Sequence, residues 1–512
     1  ATASLPPKAS ELWRVLRPCG GALVMVVRSD ELAGERLLAW AGRGLKNAEI
    51  RSEKGGLEVL TVRRGPVPGA GQWTHLYADS GNSASSGDQL RPGPVRVQWF
   101  GRPGPRRMVD RHEKGVGPLY RDGRLFISGD DYLVAVDAYN GTVLWERDLP
   151  GSIRLGALKN CGSMAAGEDL LYVAAADQCV GLEAASGRVA KTFKLPPSEA
   201  SAGAEWGYVA TEAGILFGSV TRPGANFRVQ DLDTQTLIWR DFQPVVTSVA
   251  LFAQDGRSGR TLWSWRPHEG VIVNPTIAVA GGRVYCVAST NPETRDVADG
   301  RVSVPELFAR PAQVVALDAR SGQVVWRTSL DLGQLQHIVF LSCARQTLVI
   351  TGTRNAAVGD AERVRYELWG LDAEKGTVLW QATQRPVPDD ILDGPHGEQV
   401  QHSAIVGQRI YNTGFTLELR TGRPVEGWSW IKSDKCGALT TSAYCGFSRF
   451  SNPRMFDLAS GRYRSLTQVT RPGCWINIIP AGGLVLIPES SSGCTCYYSI
   501  QTSLALAPRD AP

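Results

Sequence analysis

The chain has 512 residues, 43% of them hydrophobic, and 55 basic against 50 acidic side chains leave a formal charge of +5. Such a length can bury several cores, while so small an excess over so large a surface argues against a nucleic-acid partner. No window reaches about 18 uninterrupted apolar residues, so no transmembrane segment is expected, and 56 glycines with 30 prolines predict many tight turns.

In chain order, the first segment reads as α/β. Residues 11–17 predict a short helix with Ser10 as its cap and Leu12, Val15 and Leu16 on one face. Pro18 stops it, and Cys19, Gly20 and Gly21 lead into the apolar run 22–27, which reads as a buried strand. A second helix is expected over 32–41 and a second strand over 57–62. The run Arg14-Val15-Leu16-Arg17-Pro18, followed by Gly20-Gly21 and a strand, resembles the C-terminal part of a class I S-adenosylmethionine-dependent methyltransferase, with Cys19 as a departure. In that family the cofactor loop and its acidic partner lie earlier, and this chain contains neither. Residues 1–68 are therefore expected to pack, as the tail of a domain or as a remnant, and not to transfer methyl groups. The start Ala1-Thr2-Ala3-Ser4 lacks an initiator Met and a signal peptide, so it reads as a processed terminus or as an arbitrary start.

Residues 69–512 carry a repeat. Ala135-Val136-Asp137-Ala138-Tyr139-Asn140-Gly141-Thr142-Val143-Leu144-Trp145 returns as the run Ala316 to Trp326 and again as Gly370 to Trp380. In each, an apolar strand reaches an Asp, turns at a Gly four residues later and resumes as a strand ending in Trp. Weaker copies stand at Glu183, Asp233, Asp255, Glu418 and Asp457. With Asp233 merged into the Asp255 copy, the markers lie 46, 72, 63, 54, 46 and 39 residues apart. Strand-only periods of this size predict propeller blades of four antiparallel strands, about eight in number, with seven as the other count. The recurring Trp is expected to pack between neighbouring blades.

The Asp-x-x-x-Gly-x-x-x-Trp phrase resembles the repeat of the pyrroloquinoline-quinone dehydrogenase-like (PQQ-like) β-propellers, over residues from about 85 to 512. That superfamily includes quinone-dependent dehydrogenases and non-enzymatic outer-membrane assembly lipoproteins. The resemblance implies an all-β fold. For the dehydrogenases it also implies a planar quinone cavity, a calcium held by carboxylate and amide oxygens, and an Asp base. Their quinone is covered by a disulfide between adjacent cysteines, whereas the nearest pair here is Cys494-Thr495-Cys496.

Six histidines form no short metal signature. The densest charged run is Asp110-Arg111-His112-Glu113-Lys114, which reads either as a solvated loop or as a loop pinned at the propeller mouth. A funnel lined by Arg111, His112, His75 and Tyr77, with His337 or His402, suits an acidic ligand, because Arg offers a fixed fork to carboxylate or sulfate and His titrates near neutrality. With His or Tyr as base and Arg neutralising the carboxylate, the same set suits elimination from a uronic acid.

Ten cysteines admit several roles. Cys161 with Cys179, and Cys436 with Cys445, are close enough in sequence for disulfides in an oxidising compartment, while Cys286 and Cys343 read as buried thiols. Cys474, Cys494 and Cys496 with Trp475 suit either a disulfide fastening the closing blade or, with His402 or Cys445, a structural or catalytic metal; no cofactor is otherwise expected. The leading functional expectation is a periplasmic or secreted protein that binds an anionic polysaccharide in its funnel, with lyase cleavage as the enzymatic form of that reading. The alternatives are a non-catalytic protein-interaction scaffold with a protein partner and a quinone-dependent dehydrogenase.

Overall fold

The computed structural model describes every residue except 1–4, 6, 7, 161, 229–243, 360, 385–396, 433–435, 451, 494–497, 499 and 510–512. The repeat dictates its architecture. At markers 137, 183, 255, 318, 372, 418 and 457 the chain makes one and the same turn. The glycine four residues on donates its N–H to the marker carbonyl at 2.7–2.9 Å, and the marker N–H is bound by the carbonyl of the fifth residue on. Those glycines sit at φ of 64–76°, where a side chain is strained. The copy at Asp233 lies outside the described residues.

Each hairpin then locks to the next. Trp145, Trp263, Trp326 and Trp380 donate their indole N–H to Ala184, Ala319, Ala373 and Leu419 at 3.0–3.1 Å, in each case the residue after the following marker. Their rings lie over Gly187, Gly322, Gly376 and Gly422, where an added Cβ would stand 2.5 Å from the indole. The repeated Trp and the repeated Gly are therefore two halves of one inter-sheet contact.

These hairpins build an all-β, propeller-like fold of antiparallel sheets. Four-stranded sheets occupy residues 119–148, 164–194, 339–383 and 440–465, and a three-stranded sheet occupies 404–418. Between 205 and 330 two four-strand groups are joined through Ile272–Val273 into one ten-stranded sheet. The last sheet contains Ile479–Ala481, Leu484–Ile487 and Ser503–Pro508. Its fourth strand comes from the other end of the chain, as Val95–Gly101 pairs along Ser503–Pro508. No described helix is long and apolar enough to cross a membrane.

Ahead of that strand, residues 71–86 touch the first strand of one sheet after another. Gly71 meets Gly482, Trp73 meets Tyr120, Thr74 meets Ala166, Ser80 meets Val279, Gly81 meets Cys343, Ser83 meets Ile405 and Ala84 meets Thr441, all through backbone hydrogen bonds of 2.7–3.1 Å. So short a segment can reach them all only if the first strands converge on it.

Residues 1–68 form a separate small layer. Helix α1 (Ala9–Val15) begins at Lys8 with no side-chain cap, so Ser10, expected to cap it, instead lies in the first turn. Strand β1 (Ala22–Arg28), helix α2 (Gly34–Ala41), strand β2 (Ala48–Glu53) and strand β3 (Leu57–Arg63) follow, with sheet order β1-β3-β2. The helices cover one face only, so β1 is not the buried strand its apolar run suggests: Val24 and Val26 are 59% and 57% exposed. β2, in which only Ala48 and Ile50 are apolar and pack on the core, is an addition to the elements expected from the sequence.

Candidate functional site

Two buried regions hold the residues singled out by the sequence. The first is the segment 71–86 at the convergence of the sheets. His75 is buried, with Nε2 accepting from the Thr211 N–H at 3.2 Å. A neutral imidazole has one N–H, so the proton sits on Nδ1 and faces Thr74 Oγ1 at 2.9 Å. Burial pushes its pKa down to about 3, with Arg121 acting in the same direction. Tyr77 stacks on His402 with ring centroids 3.8 Å apart and an interplanar angle of 13°, beside the Phe340 edge. Burial raises the Tyr77 pKa and lowers that of His402 to about 3. Asn82 donates from Nδ2 to Ile277 and Leu341 carbonyls of two sheets, at 2.9 and 3.1 Å. A cavity of about 10 Å³ beside Tyr77, Asn82 and Asn160 is the size of one water.

The second region is polar and lies where the chain enters the first strands. Asp110 caps the 3-10 turn Arg111–Glu113 by accepting from the His112 N–H, and its Oδ1 is also 2.9 Å from His112 Nδ1. His112 keeps 34% of its side chain exposed. Arg111 is buried and donates from Nε to the Cys474 sulfur at 2.8 Å. Burial raises the Cys474 pKa, the neighbouring Cys436 thiol adds to the rise, and Arg111 opposes it. Next to them Arg471 and Glu489, both fully buried, pair at 3.6 Å, and burial raises the Glu489 pKa against the pull of Arg471. Lys114 lies 5.9 Å over the Trp475 ring, and Lys159 donates to the His337 carbonyl at 3.2 Å.

Of the predicted set, Tyr77 is thus brought together with His402 and Arg111 with Cys474. The contacts described for His75 run to Thr74 and Thr211, and His337 pairs through Nε2 with Asn355 at 2.8 Å. His268 is exposed, and His396 lies outside the described residues. Glu489, Lys159 and Asn82 carry no signal of their own in the sequence, because they stand in ordinary polar contexts and acquire their setting only from tertiary neighbours.

The disulfide expectation is corrected. Cys179 and Cys445 are free thiols, so neither Cys161 with Cys179 nor Cys436 with Cys445 is bridged. Cys179 lies in the apolar interior of its sheet beside Phe193, and the Cys445 thiol donates to the Leu90 carbonyl at 3.4 Å. Cys286 and Cys343 are buried thiols as expected, each with its pKa pushed up to about 12 by burial. Cys474 is also a free thiol, while Cys494 and Cys496 lie outside the described residues. Among the described residues no group of three or more His, Cys, Asp or Glu is placed to hold a metal ion.

Comparison with known proteins finds a family model, PQQ_2, described as outer membrane protein assembly factor BamB, matching residues 68–206 and 293–425. Among solved structures, the quinohemoprotein alcohol dehydrogenase of Comamonas testosteroni is 12% identical with a TM-score of 0.51, covering 85% of this chain and 80% of its own. The quinohemoprotein alcohol dehydrogenase ADHIIG of Pseudomonas putida HK5 is 12% identical at 0.50, with 86% and 81% covered. At such identities the likeness concerns the fold alone. No curated protein matches.

Proposed function

The chain belongs to the PQQ_2 family of outer membrane protein assembly factor BamB, and from that premise we propose that it is a non-catalytic protein-interaction scaffold, an eight-bladed propeller closed by β4 (Val95–Gly101) as the last blade's outer strand. The observation that carries this reading lies on the outermost strands. Leu144, Val325 and Leu379, each the residue before the repeated Trp, are 36%, 44% and 37% exposed, and Phe100 on β4 is 74% exposed. All four stand on strands that end their sheets. Edge strands with outward apolar side chains are a template for adding a partner's strand, and soluble proteins usually blunt them with charge. A periplasmic or secreted location goes with this reading; with Cys179 and Cys445 free, it rests on the family and not on disulfides.

Binding or eliminative cleavage of an anionic polysaccharide draws less support. The ring nitrogens of His75 are engaged inside the protein, and Tyr77 is buried under His402, so neither presents a base to a sugar. The residues also do not fit a quinone and calcium centre: Lys114 occupies the face of Trp475, and the Glu489 carboxylate is paired with Arg471. For residues 1–68 we propose a packing role, supported by the Arg17–Asp137 ion pair at 2.6 Å that ties the segment to the first marker turn.

The test is site-specific photocrosslinking from Leu144, Val325 and Leu379, with exposed Val469 as control. Discrete products at the three edge positions and none from Val469 are expected. Absence of products from all three, or turnover of uronic acid polymers read as rising ultraviolet absorbance, overturns the scaffold reading.

A further inference from the structure

The small sheet of residues 1–68 has two edges, and only one of them is blunted. Its order β1-β3-β2 leaves β1 and β2 outermost. β2 carries Glu49, Arg51 and Glu53, all exposed, and charge of this kind keeps an edge strand from pairing with another chain. β1 reads Ala22-Leu23-Val24-Met25-Val26-Val27-Arg28, with no charge before its last residue, no proline and no glycine. It pairs along β3 in one unbroken register, from Ala22 with Arg63 to Arg28 with Leu57. An unbroken, uncharged run of β-branched and other apolar residues is a template for a further strand.

The phase of the ladder decides which groups that template offers. Arg64 donates its N–H to the Gly21 carbonyl, and Ser29 donates to Gly56, both at 2.8 Å. In an antiparallel pair the bonded residues alternate, so residues 21, 23, 25, 27 and 29 face β3, and Ala22, Val24 and Val26 turn N–H and C=O outward. Among the described residues no strand pairs along this side. The Arg28 carbonyl is engaged by the Glu31 and Leu32 N–H groups at 3.0 and 2.9 Å, while the side chains of Val24 and Val26 stand exposed on the uncovered face.

We infer that β1 is a self-association edge, on which β1 of a second copy of this chain adds antiparallel and joins the two small sheets into one. A two-fold axis at Met25 uses the whole length of the strand. It sets Val24 against Val26 of the second copy, and Ala22 against Arg28 of the second copy. The outward N–H and C=O groups then meet their own kind, each Val24–Val26 pair exchanging both main-chain hydrogen bonds. The edge is self-complementary in charge as well as shape: valine meets valine in the middle, and Arg28, already paired with Asp30 at 3.1 Å, meets an alanine, so no like charges oppose. Seven residues a side fall below the roughly 20–30 of a standard interface, which puts the dimer in the weak, concentration-dependent class. β1 lies outside the strands on which the scaffold reading stands, so the two stand or fall separately.

The experiment follows the full chain by sedimentation velocity from about 1 to 100 µM, a range that brackets a micromolar dissociation constant. A monomer–dimer equilibrium that shifts with concentration is expected. Val24→Lys with Val26→Lys opposes lysines across the axis and should leave monomer throughout, whereas Val24→Lys with Val26→Glu sets Lys against Glu and should restore the dimer. In the unaltered chain, amide exchange at Val24 and Val26 should slow by about tenfold between the ends of the concentration range, while Met25, bonded to β3, keeps its rate. A parent that is monomeric across the range, a doubly basic variant that still dimerises, or a mixed-charge variant as monomeric as the doubly basic one overturns the assignment. So does exchange at Val24 and Val26 that ignores concentration. Loss of the dimer with the crosslinks from Leu144, Val325 and Leu379 intact is the expected result for the doubly basic variant. Failure of those crosslinks in a chain that dimerises through β1 brings down the scaffold reading alone.

Discussion

The rim and the centre of this molecule are built on opposite plans. At the rim, one contact is used again and again: an indole over a positive-φ glycine, with its N–H on the next sheet's carbonyl, recurs at Trp145, Trp263, Trp326 and Trp380. At the centre nothing repeats. Residues 71–86 meet each sheet through a different residue, and Asn82 alone holds carbonyls of two sheets. A repeated contact tolerates the loss of one copy by local loosening, whereas a single central segment couples all the sheets.

The largest effect that sharpens this contrast is expected at the rim. Trp145→Ala, Trp263→Ala and Trp380→Ala each remove a buried indole and a hydrogen bond, for about 3–5 kcal/mol apiece. Because the three sites share one geometry, their costs should agree within about 1 kcal/mol, and pairs of them, far apart, should add. Chemical denaturation of the single and double variants checks this, and costs scattered over several kcal/mol would dissolve the idea of one repeated contact.

A smaller cost is expected at the centre, from Asn82→Ala. It removes the two hydrogen bonds to the carbonyls of Ile277 and Leu341, about 1–3 kcal/mol in all, and it places Ala at φ 61° where Asn is tolerated better. If the segment couples the sheets, hydrogen exchange should quicken in several of them at once, including Ala404–Val406 and Thr440–Thr441, which Asn82 does not touch. Quickening confined to the strands around Ile277 and Leu341 would show that the centre is as modular as the rim.

The sequence carried the rim almost completely. Marker spacing, glycine position and terminal Trp are local signals, and each maps onto one turn and one ring contact. The centre was not readable in the same way. The chemistry of His75, Tyr77 and His402 suits a funnel lining, but what places them is the packing of residues 71–86 against six strands and the turn at Gly482, a set of pairings up to about 410 residues apart that no periodicity encodes. The N-terminal segment shows the same limit on a smaller scale. The run from Ala22 to Val27 is apolar enough for a buried strand, yet only one face of its sheet is covered, since helices lie on that side alone. Likewise the spacing of Cys436 and Cys445 permitted a bridge, but the fold turns the Cys445 thiol toward Leu90.

A pH-dependent effect, nil near neutrality, tests whether the centre is as dry as its packing implies. In the folded chain His402 stays neutral until the pH falls to about 3, whereas in the unfolded chain it takes a proton near 6.5. Between those values the unfolded state binds the extra proton, so the contribution is fully present above about pH 6.5 and is lost as pH falls, at ~1.4 kcal/mol per pH unit. His75 acts with the same sign. Asp79, Asp88 and Glu212, whose pKa values burial raises, act with the opposite sign and flatten the total. His402→Phe keeps a ring against Tyr77 and Phe340 and removes one proton site, so the difference between variant and parent isolates it from those carboxylates. The variant's stability should fall less steeply from pH 6.5 to 4.5, by about one proton's slope. Parallel curves would mean that water reaches the ring and that the centre is open, which would return His75, Tyr77 and His402 to the surface of a funnel.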